Sequence, residues 1–464
     1  MQRDLSHGHV LSTVLSFGLP LALAMAAHAG FNLVDLFLVG RLGEDALAGV
    51  HVASTINFFP MILGNGISVG AVALIGQALG GGHGDRARRV ANLTAVLLGI
   101  TGVALGLACW LFAEPLVLAL EARGGSVPIG VEYLEVVSLG TITMYGLIHL
   151  TGVLRAAGNA FWTVVLLIGT NALNIVLDVI LIFGWDALGI PAYGAVGAAW
   201  ATVASRALGC VVGFVVLARP SSPLRPGLAL PRREDRVLHR MLGIGCFQTI
   251  QMLARAAMVL TITWIGGRIV GPSAQAALAI AVRLDTLVLF SGVGWASAAT
   301  AMIAQCVVRG ERQRCLELTR ATAWISGALA LAAGFLFFLF TEPLFRLFTP
   351  DPSPELLEVG RRYFAYLAFA YPAATASLVL AGAMNGVGRA FLPMLLDLLL
   401  LVGLLQPSLL TWVLTGAVGG LSACWLQVLT ASWLLLVAYL WVLRRPMWLR
   451  GRFGTRATGP DATA

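Results

Sequence analysis

Lysine is missing from this chain altogether, so all 30 of its basic residues are arginine. No Walker-A glycine loop, no HExxH and no Ser/His/Asp arrangement stands in the sequence either. Those absences leave neither ATP-driven chemistry nor catalysis with support, and the chain is not expected to be an enzyme. Charge of either sign is scarce, at 11%, against 58% hydrophobic residues and a mean hydropathy of +0.87. That balance excludes a soluble domain. Cys109, Cys210, Cys246, Cys306, Cys315 and Cys424 form no CxxC pair, and most fall in apolar runs, so they read as small core residues rather than metal ligands or disulfides. No cofactor is expected. The net charge of +8 reports membrane topology and contact with anionic lipid headgroups, not nucleic acid.

What the chain has instead is long apolar runs. A spanning helix needs about 20 largely apolar residues, and Val90 to Ala113 and Ala321 to Thr341 contain no charged residue. The alternating pattern of a β-barrel is not visible. Twelve helical spans are predicted near 12–39, 50–80, 90–112, 130–153, 162–184, 194–217, 241–266, 275–307, 319–340, 359–384, 391–413 and 417–443. The second and eighth exceed one bilayer thickness and must tilt or project into water. The first run resembles a signal peptide, with Ala24-Met25-Ala26 like a cleavage site, but cleavage there would discard a continuous apolar run. It is read as an uncleaved first helix.

Arginine placement sets orientation. Loops around Arg86, Arg88 and Arg89, around Arg155, around Arg309, Arg312 and Arg314, and around Arg389 share a side with both termini and with the stretch from Arg219 to Arg240. The opposite loops hold only Arg41, Arg123, Arg268, Arg346, Arg361 and Arg362. By the positive-inside rule both termini are expected in the cytoplasm.

The chain is also written twice. Phe112-Ala113-Glu114-Pro115-Leu116 returns as Phe340-Thr341-Glu342-Pro343-Leu344, and Ile75-Gly76-Gln77 aligns with Ile303-Ala304-Gln305 at the same shift of 228. Gly158-Asn159-Ala160-Phe161 aligns with Gly388-Arg389-Ala390-Phe391 at a shift of 230, and Gly194-Ala195-Val196-Gly197 returns as Gly416-Ala417-Val418-Gly419. Six spans per copy is an even number, so the copies enter the membrane in the same direction. The fold class expected is all-α integral membrane, with twelve transmembrane helices in two pseudo-symmetric six-helix lobes around a central cavity. The lobes are assigned to residues 1–217 and 241–445, with a cytoplasmic linker at 218–240 and a cytoplasmic tail at 446–464. Paired lobes enclosing a cavity fit a rocking, alternating-access transporter.

Two acids interrupt this lipid-compatible pattern, Asp35 in the first span and Asp178 in the fifth. An ionisable side chain at that depth is costly unless it faces a cavity or a partner, and so is a functional candidate by default. Asn32 and Asp35 share a face, as do Asn171, Asn174 and Asp178 at i, i+3 and i+7. Two polar stripes can thus meet inside one lobe. Neighbouring buried carboxyls are suited to hold a proton, and the same oxygens with Asn carbonyls also suit Na⁺. Aligning Gly40-Arg41 with Gly267-Arg268 puts Ile262 opposite Asp35, so ion coupling is expected in the first lobe only.

Pro20 with Asn32, Asp35 and Val39-Gly40-Arg41-Leu42-Gly43, then Leu154-Arg155-Ala156-Ala157-Gly158-Asn159, Leu173-Asn174-Ile175-Val176-Leu177-Asp178 and Gly194-Ala195-Val196-Gly197-Ala198-Ala199, resembles the multidrug and toxic compound extrusion family. The likeness spans essentially the whole chain. It implies export of amphipathic, often cationic compounds in exchange for inward H⁺ or Na⁺, in a bacterial or archaeal cell membrane, by a monomer whose partners are small substrates and lipids. The branch similar to DNA-damage-inducible F proteins keeps an acid in the first span and an Asn/Asp pair in the fifth, as Asp35, Asn174 and Asp178 do. Arg155-Ala156-Ala157-Gly158-Asn159 departs from the usual Arg-Gly-x-Gly-Asp, and Phe31 stands where that branch often has Tyr. Acids of the sodium-coupled branch in spans seven and ten are absent, with Gln248, Gln251 and Tyr371-Pro372 there instead. The resemblance also implies that protonation changes bending of the first span, with Pro20, 15 residues or about 22 Å from Asp35, as the hinge.

Blander roles compete for several residues. Asp285 is expected to pair with Arg255 or Arg283, and Asp397 to sit near a helix end, both structural. Pro20 alone can kink a lipid-facing helix. Tyr145 and His149, four apart, can line a first-lobe cavity or be satisfied core residues. Thr151 and Thr202 are weaker cavity candidates because Thr in a membrane helix usually bonds its own backbone. Twelve Trp and 21 Phe offer stacking surface for flat cations or simple interfacial anchors. Two rival functions remain, a lipid-linked oligosaccharide flippase, which would need a basic cavity where only Arg206, Arg255 and Arg283 lie within spans, and a membrane transferase, which the scattered His residues disfavour.

Overall fold

Hydrocarbon offers the backbone no hydrogen bonds, so apolar segments must satisfy their own, and the helix is how this chain does it. The structure, a computed structural model, describes residues 5, 8–120, 124–220, 222, 224–227, 236–269, 272–349, 351–415 and 421–445. The first six helical segments are Val10–Gly40, Glu44–Gly80, Gly84–Leu111, the pair Ser126–Leu139 and Thr141–Ala156, Ala160–Phe183 and Gly194–Ala218. Six more follow: Arg236–Ile269, Pro272–Val307, Arg312–Leu339, Pro354–Val387, the run from Phe391 to Thr415 and Leu421–Arg444. Among the described residues ten helices are long and apolar enough to cross a membrane, and the bent pair makes an eleventh. The seventh segment, 34 residues long, stands where the remaining span is expected. The second and eighth are overlong as expected, at 37 and 36 residues, and the seventh and tenth, at 34 each, are too.

The fourth span, expected to be continuous, bends by 48° between its halves. Gly140 lies at the break, so close to the sixth span that a β-carbon there would stand 2.2 Å from Val203 Cγ2. Asp397 does sit near a helix end, as expected: it closes the α-helix Phe391–Asp397, which runs on through a π-helical stretch, Leu398–Leu405, into Gln406–Thr415.

The internal repeat is written in the backbone as well as the side chains. Phe112 and Phe340, which open the two Glu-Pro-Leu motifs, have φ/ψ of −109°/23° and −102°/25°, and each leads into a short helix. Gly82 and Gly310, 228 apart, both take φ of 77°, a left-handed turn that glycine enters without penalty. The repeat at Gly416-Ala417-Val418-Gly419 and the tail at 446–464 lie outside the described residues, as do the side chains of Ile262 and Arg268.

Packing divides the two lobes unequally along their length. One core cluster mixes both lobes, with Phe17, Ile75, Leu154, Trp295, Met302 and Met384 among its members, and it lies at the end that carries the chain termini and the basic loops. At the other end each lobe has a core of its own, around Val39, Tyr133 and Ile182 in the first and around Leu284, Phe364 and Trp425 in the second. The shared seam is built from small residues, which let helices approach closely in a membrane. A β-carbon on Gly66 would fall 2.1 Å from Thr249 Oγ1 and 2.6 Å from the Gly245 carbonyl oxygen. Its counterpart 228 residues on, Gly294, would meet Ala22 Cα at 2.6 Å.

Candidate functional site

The straight part of the first span, Leu19–Gly40, carries Asp35, and the fifth span carries Asp178. Their carboxyl groups come within hydrogen-bonding reach of each other. Asn174, one turn before Asp178, donates through Nδ2 to Asp178 Oδ1 at 3.2 Å and to Thr202 Oγ1 of the sixth span at 3.5 Å. Asp35 Oδ1 and Asp178 Oδ2 are both buried and neither has a hydrogen-bond partner. Two neighbouring acceptors left without a donor are costly in a low-dielectric interior. The arrangement is chemically incomplete in a specific sense: one shared proton, or one small cation, would satisfy both oxygens.

Three residues that the sequence did not single out complete this cluster. Arg206 of the sixth span stands close enough to Asp35 to act on its charge. Tyr133 of the fourth span is buried near both acids and beside Ser54. His28 Nδ1 lies 2.9 Å from Asn171 Oδ1, two turns from Asp178, and its ring sits 6.1 Å from Phe290 of the eighth span. His28 thereby joins the first lobe's polar stripe to the second lobe. The sequence did hold a signal for Arg206, an intramembrane arginine at i+4 from Thr202; for Tyr133 it held none.

Other candidates lie elsewhere. Asn32 is exposed and takes no part in the acid pair's hydrogen bonds. Tyr145 is fully buried and donates its hydroxyl to the Pro60 carbonyl at 2.7 Å. Together with His149 it lines an apolar hollow of about 520 Å³ between spans three, four and six, separate from the acids. Thr151 bonds the Leu147 carbonyl of its own helix at 2.7 Å, whereas Thr202 is drawn into the site by Asn174. Pro20 begins the straight helix immediately after a π-helical turn, Val14–Gly18. Proline has no N–H to offer the Ser16 carbonyl, and the widened turn absorbs that loss.

The second lobe's acids are fully engaged, though with different partners than expected. Arg255 pairs with Asp397 at 2.6 Å, not with Asp285, and Tyr439 donates to the other Asp397 oxygen at 2.8 Å. Asp285 is held by the hydroxyls of Tyr363 and Tyr371, one on each oxygen. Two phenols on the tenth span, eight residues and thus about two turns apart, reach it from one face, which is why no arginine is needed.

The MatE family pattern matches residues 20–180 and 249–405, one stretch in each half of the chain. The chain belongs to the MatE family. Its members are transporters rather than enzymes. A probable multidrug resistance protein, NorM, from Thermotoga maritima is 27% identical over 369 residues, covering 79% of this chain and 78% of its own. An FAD transporter from Shewanella oneidensis is 24% identical over 402 residues, covering 85% and 86%. Among solved structures, the outward-facing conformation of a multidrug resistance MATE family transporter superposes with a TM-score of 0.89 at 21% identity, covering 97% of this chain and 98% of that one.

Proposed function

We propose that this MatE protein is a secondary active exporter of amphipathic, commonly cationic compounds that works by alternating access, driven by inward H⁺ or Na⁺ through the first-lobe acids. The observation that carries the reading is the facing pair of carboxyls, each with one buried oxygen lacking a partner. A proton or cation entering the pair removes an electrostatic penalty that the empty pair bears, so occupancy changes the free energy of this part of the lobe by an amount a transporter can use. Both acids sit on helices of the first lobe, and the first span also packs on the second lobe through Ala22 against Gly294 and Gly18 against Trp295. Ion binding at Asp35 is therefore linked through one helix, with Pro20 near its start, to the surface along which the lobes move.

With the termini in the cytoplasm, as the arginine distribution supports, the lobes share one core at the inner end and keep separate cores at the outer one. The lobes then correspond to residues 1–217 and 241–445, and the molecule acts as a monomer in a cell membrane. The similarity to an FAD transporter supports a second cargo class, planar aromatic compounds carrying phosphate, for which Arg206 near the acids offers a counter-charge. Efflux from proteoliposomes, with ΔpH and ΔNa⁺ imposed separately and a fluorescent organic cation or a flavin inside, tests both points. Efflux that responds to neither gradient would overturn the ion-coupled reading.

A further inference from the structure

Two glutamines hold the joined ends of the lobes in a reciprocal way. Gln77, on the second span, donates through Nε2 to the Gly386 carbonyl on the tenth at 2.8 Å. Gln305, on the eighth span, donates through Nε2 to the Ala156 carbonyl on the fourth at 2.7 Å, and its Oε1 accepts the Leu5 N–H at 3.1 Å. Gln77 and Gln305 are 228 residues apart, and Ala156 and Gly386 are 230 apart. These are the same two shifts that relate the halves of the chain. Each lobe thus sends the same side chain to the same backbone position of the other.

Those positions have a physical need for a donor. Ala156 ends the helix Thr141–Ala156, and Gly386 lies in the last turn of Pro354–Val387. Carbonyls in the final turn of a helix have no partner within it. In both helices the turns that follow leave them out: Gly158 N–H goes to Arg155 and Asn159 N–H to Leu154, while Gly388 N–H goes to Asn385 and Arg389 N–H to Met384. The glutamines cap these helix ends from across the seam. Close approach makes the reach possible, since a β-carbon on Gly80 would stand 2.2 Å from the Gln305 carbonyl oxygen, and one on Gly76 would stand 2.7 Å from Ala304 Cβ.

We infer that Gln77 and Gln305 form a two-point latch that sets the stability of the state joined at the basic-loop end, and so the rate at which the transporter opens there. The inference rests on the alternating-access reading of the family fold. Separating the lobes breaks both bonds together and uncovers two helix-end carbonyls, which water then solvates. Exchange for water makes each bond worth little on an absolute scale, as a latch that must release in every cycle requires. A bond too strong would trap the closed state.

The test places spin labels at Arg88→Cys and Gln313→Cys, exposed positions on the two lobes at this end, in a chain whose native cysteines are replaced and whose transport is retained. Distance distributions are compared for the parent, Gln77→Met, Gln305→Met and the double variant, in monodisperse protein. Each single change should raise the population with long distances about fivefold, and the pair about twentyfold. Should the double variant fail to fold, the singles decide. Distributions of both singles that superimpose on the parent would overturn the latch, and a shift at one glutamine alone would overturn its reciprocity. The measurement reads lobe separation directly, without cargo or gradient, so it fails or succeeds independently of the proposed efflux.

Discussion

Asp35 and Asp178 meet across the first and fifth spans as two acceptors, and the oxygens left over, Asp35 Oδ1 and Asp178 Oδ2, are buried without a donor. Asp35→Asn supplies an N–H to that contact permanently. It is expected to yield a folded, detergent-stable protein that has lost at least about tenfold of its gradient-driven efflux, a loss of about 1.4 kcal/mol or more in the coupled step. Proteoliposome efflux under ΔpH or ΔNa⁺ checks this, and a mutant with the parent's rate would remove Asp35 from the coupling path.

Engagement of the second-lobe acids predicts an asymmetry. In Asp285→Asn one tyrosine hydroxyl keeps an acceptor in the amide oxygen and the other can turn to accept from the amide N–H, so coupling should fall by less than about threefold, well short of the Asp35 variant. Asp397→Asn should act on stability instead, because it leaves Arg255 in the interior without its counter-charge, a change that typically costs about 3 kcal/mol or more. Thermal unfolding and efflux measured side by side separate the two. Equal loss of coupling at Asp285 and Asp35 would move the ion site to the second lobe.

Pro20→Ala restores a backbone donor beside the π-turn and should stiffen the first span there. Ion binding is expected to survive while transport slows by several fold, because a fixed bias against bending must be overcome in every cycle. Efflux together with ion-dependent distances between the first and fifth spans reads both quantities. Parent rates with an unaltered distance distribution would show that the proline is not a hinge.

Gly66→Ala offers a wedge. Its methyl group would collide with Thr249 and with the fixed Gly245 carbonyl, and overpacking of this kind costs about 1–3 kcal/mol. The strain exists only while the lobes are joined, so the expected result is a shift toward separation at the basic-loop end rather than loss of fold. Labelling at Arg88→Cys and Gln313→Cys reports it. A folded variant with unchanged distances would mean that the second and seventh spans move together.

The spans, the duplication and the two acids were legible because each leaves a one-dimensional trace: length of apolar run, recurrence at a fixed shift, and charge where lipid forbids it. Helical periodicity puts Asn174 and Asp178 on one stripe, which allowed a meeting with Asp35 without specifying it. Asn32 obeys the same periodicity beside Asp35 yet remains exposed, because a shared face says nothing about what packs against it. The bend at Gly140 depends on how closely the sixth span approaches, which no local pattern encodes. Partners of buried acids were hardest to read. Arginine is the obvious counter-charge, but Tyr363 and Tyr371 neutralise the need for one at Asp285 by donating hydroxyls from the tenth span.

The unequal division of packing has a consequence for work done in the cycle. At the basic-loop end, parting the lobes exposes an apolar interface that includes Trp295, Met302 and Met384, whereas at the far end each lobe keeps its interior to itself. Under the proposed alternating-access cycle, separation at the basic-loop end is therefore the more costly of the two openings. Arrival of an apolar compound in the seam can lower that cost by covering the surface that separation uncovers. On this account an inhibitor acting from the basic-loop side must first outcompete the protein's own core.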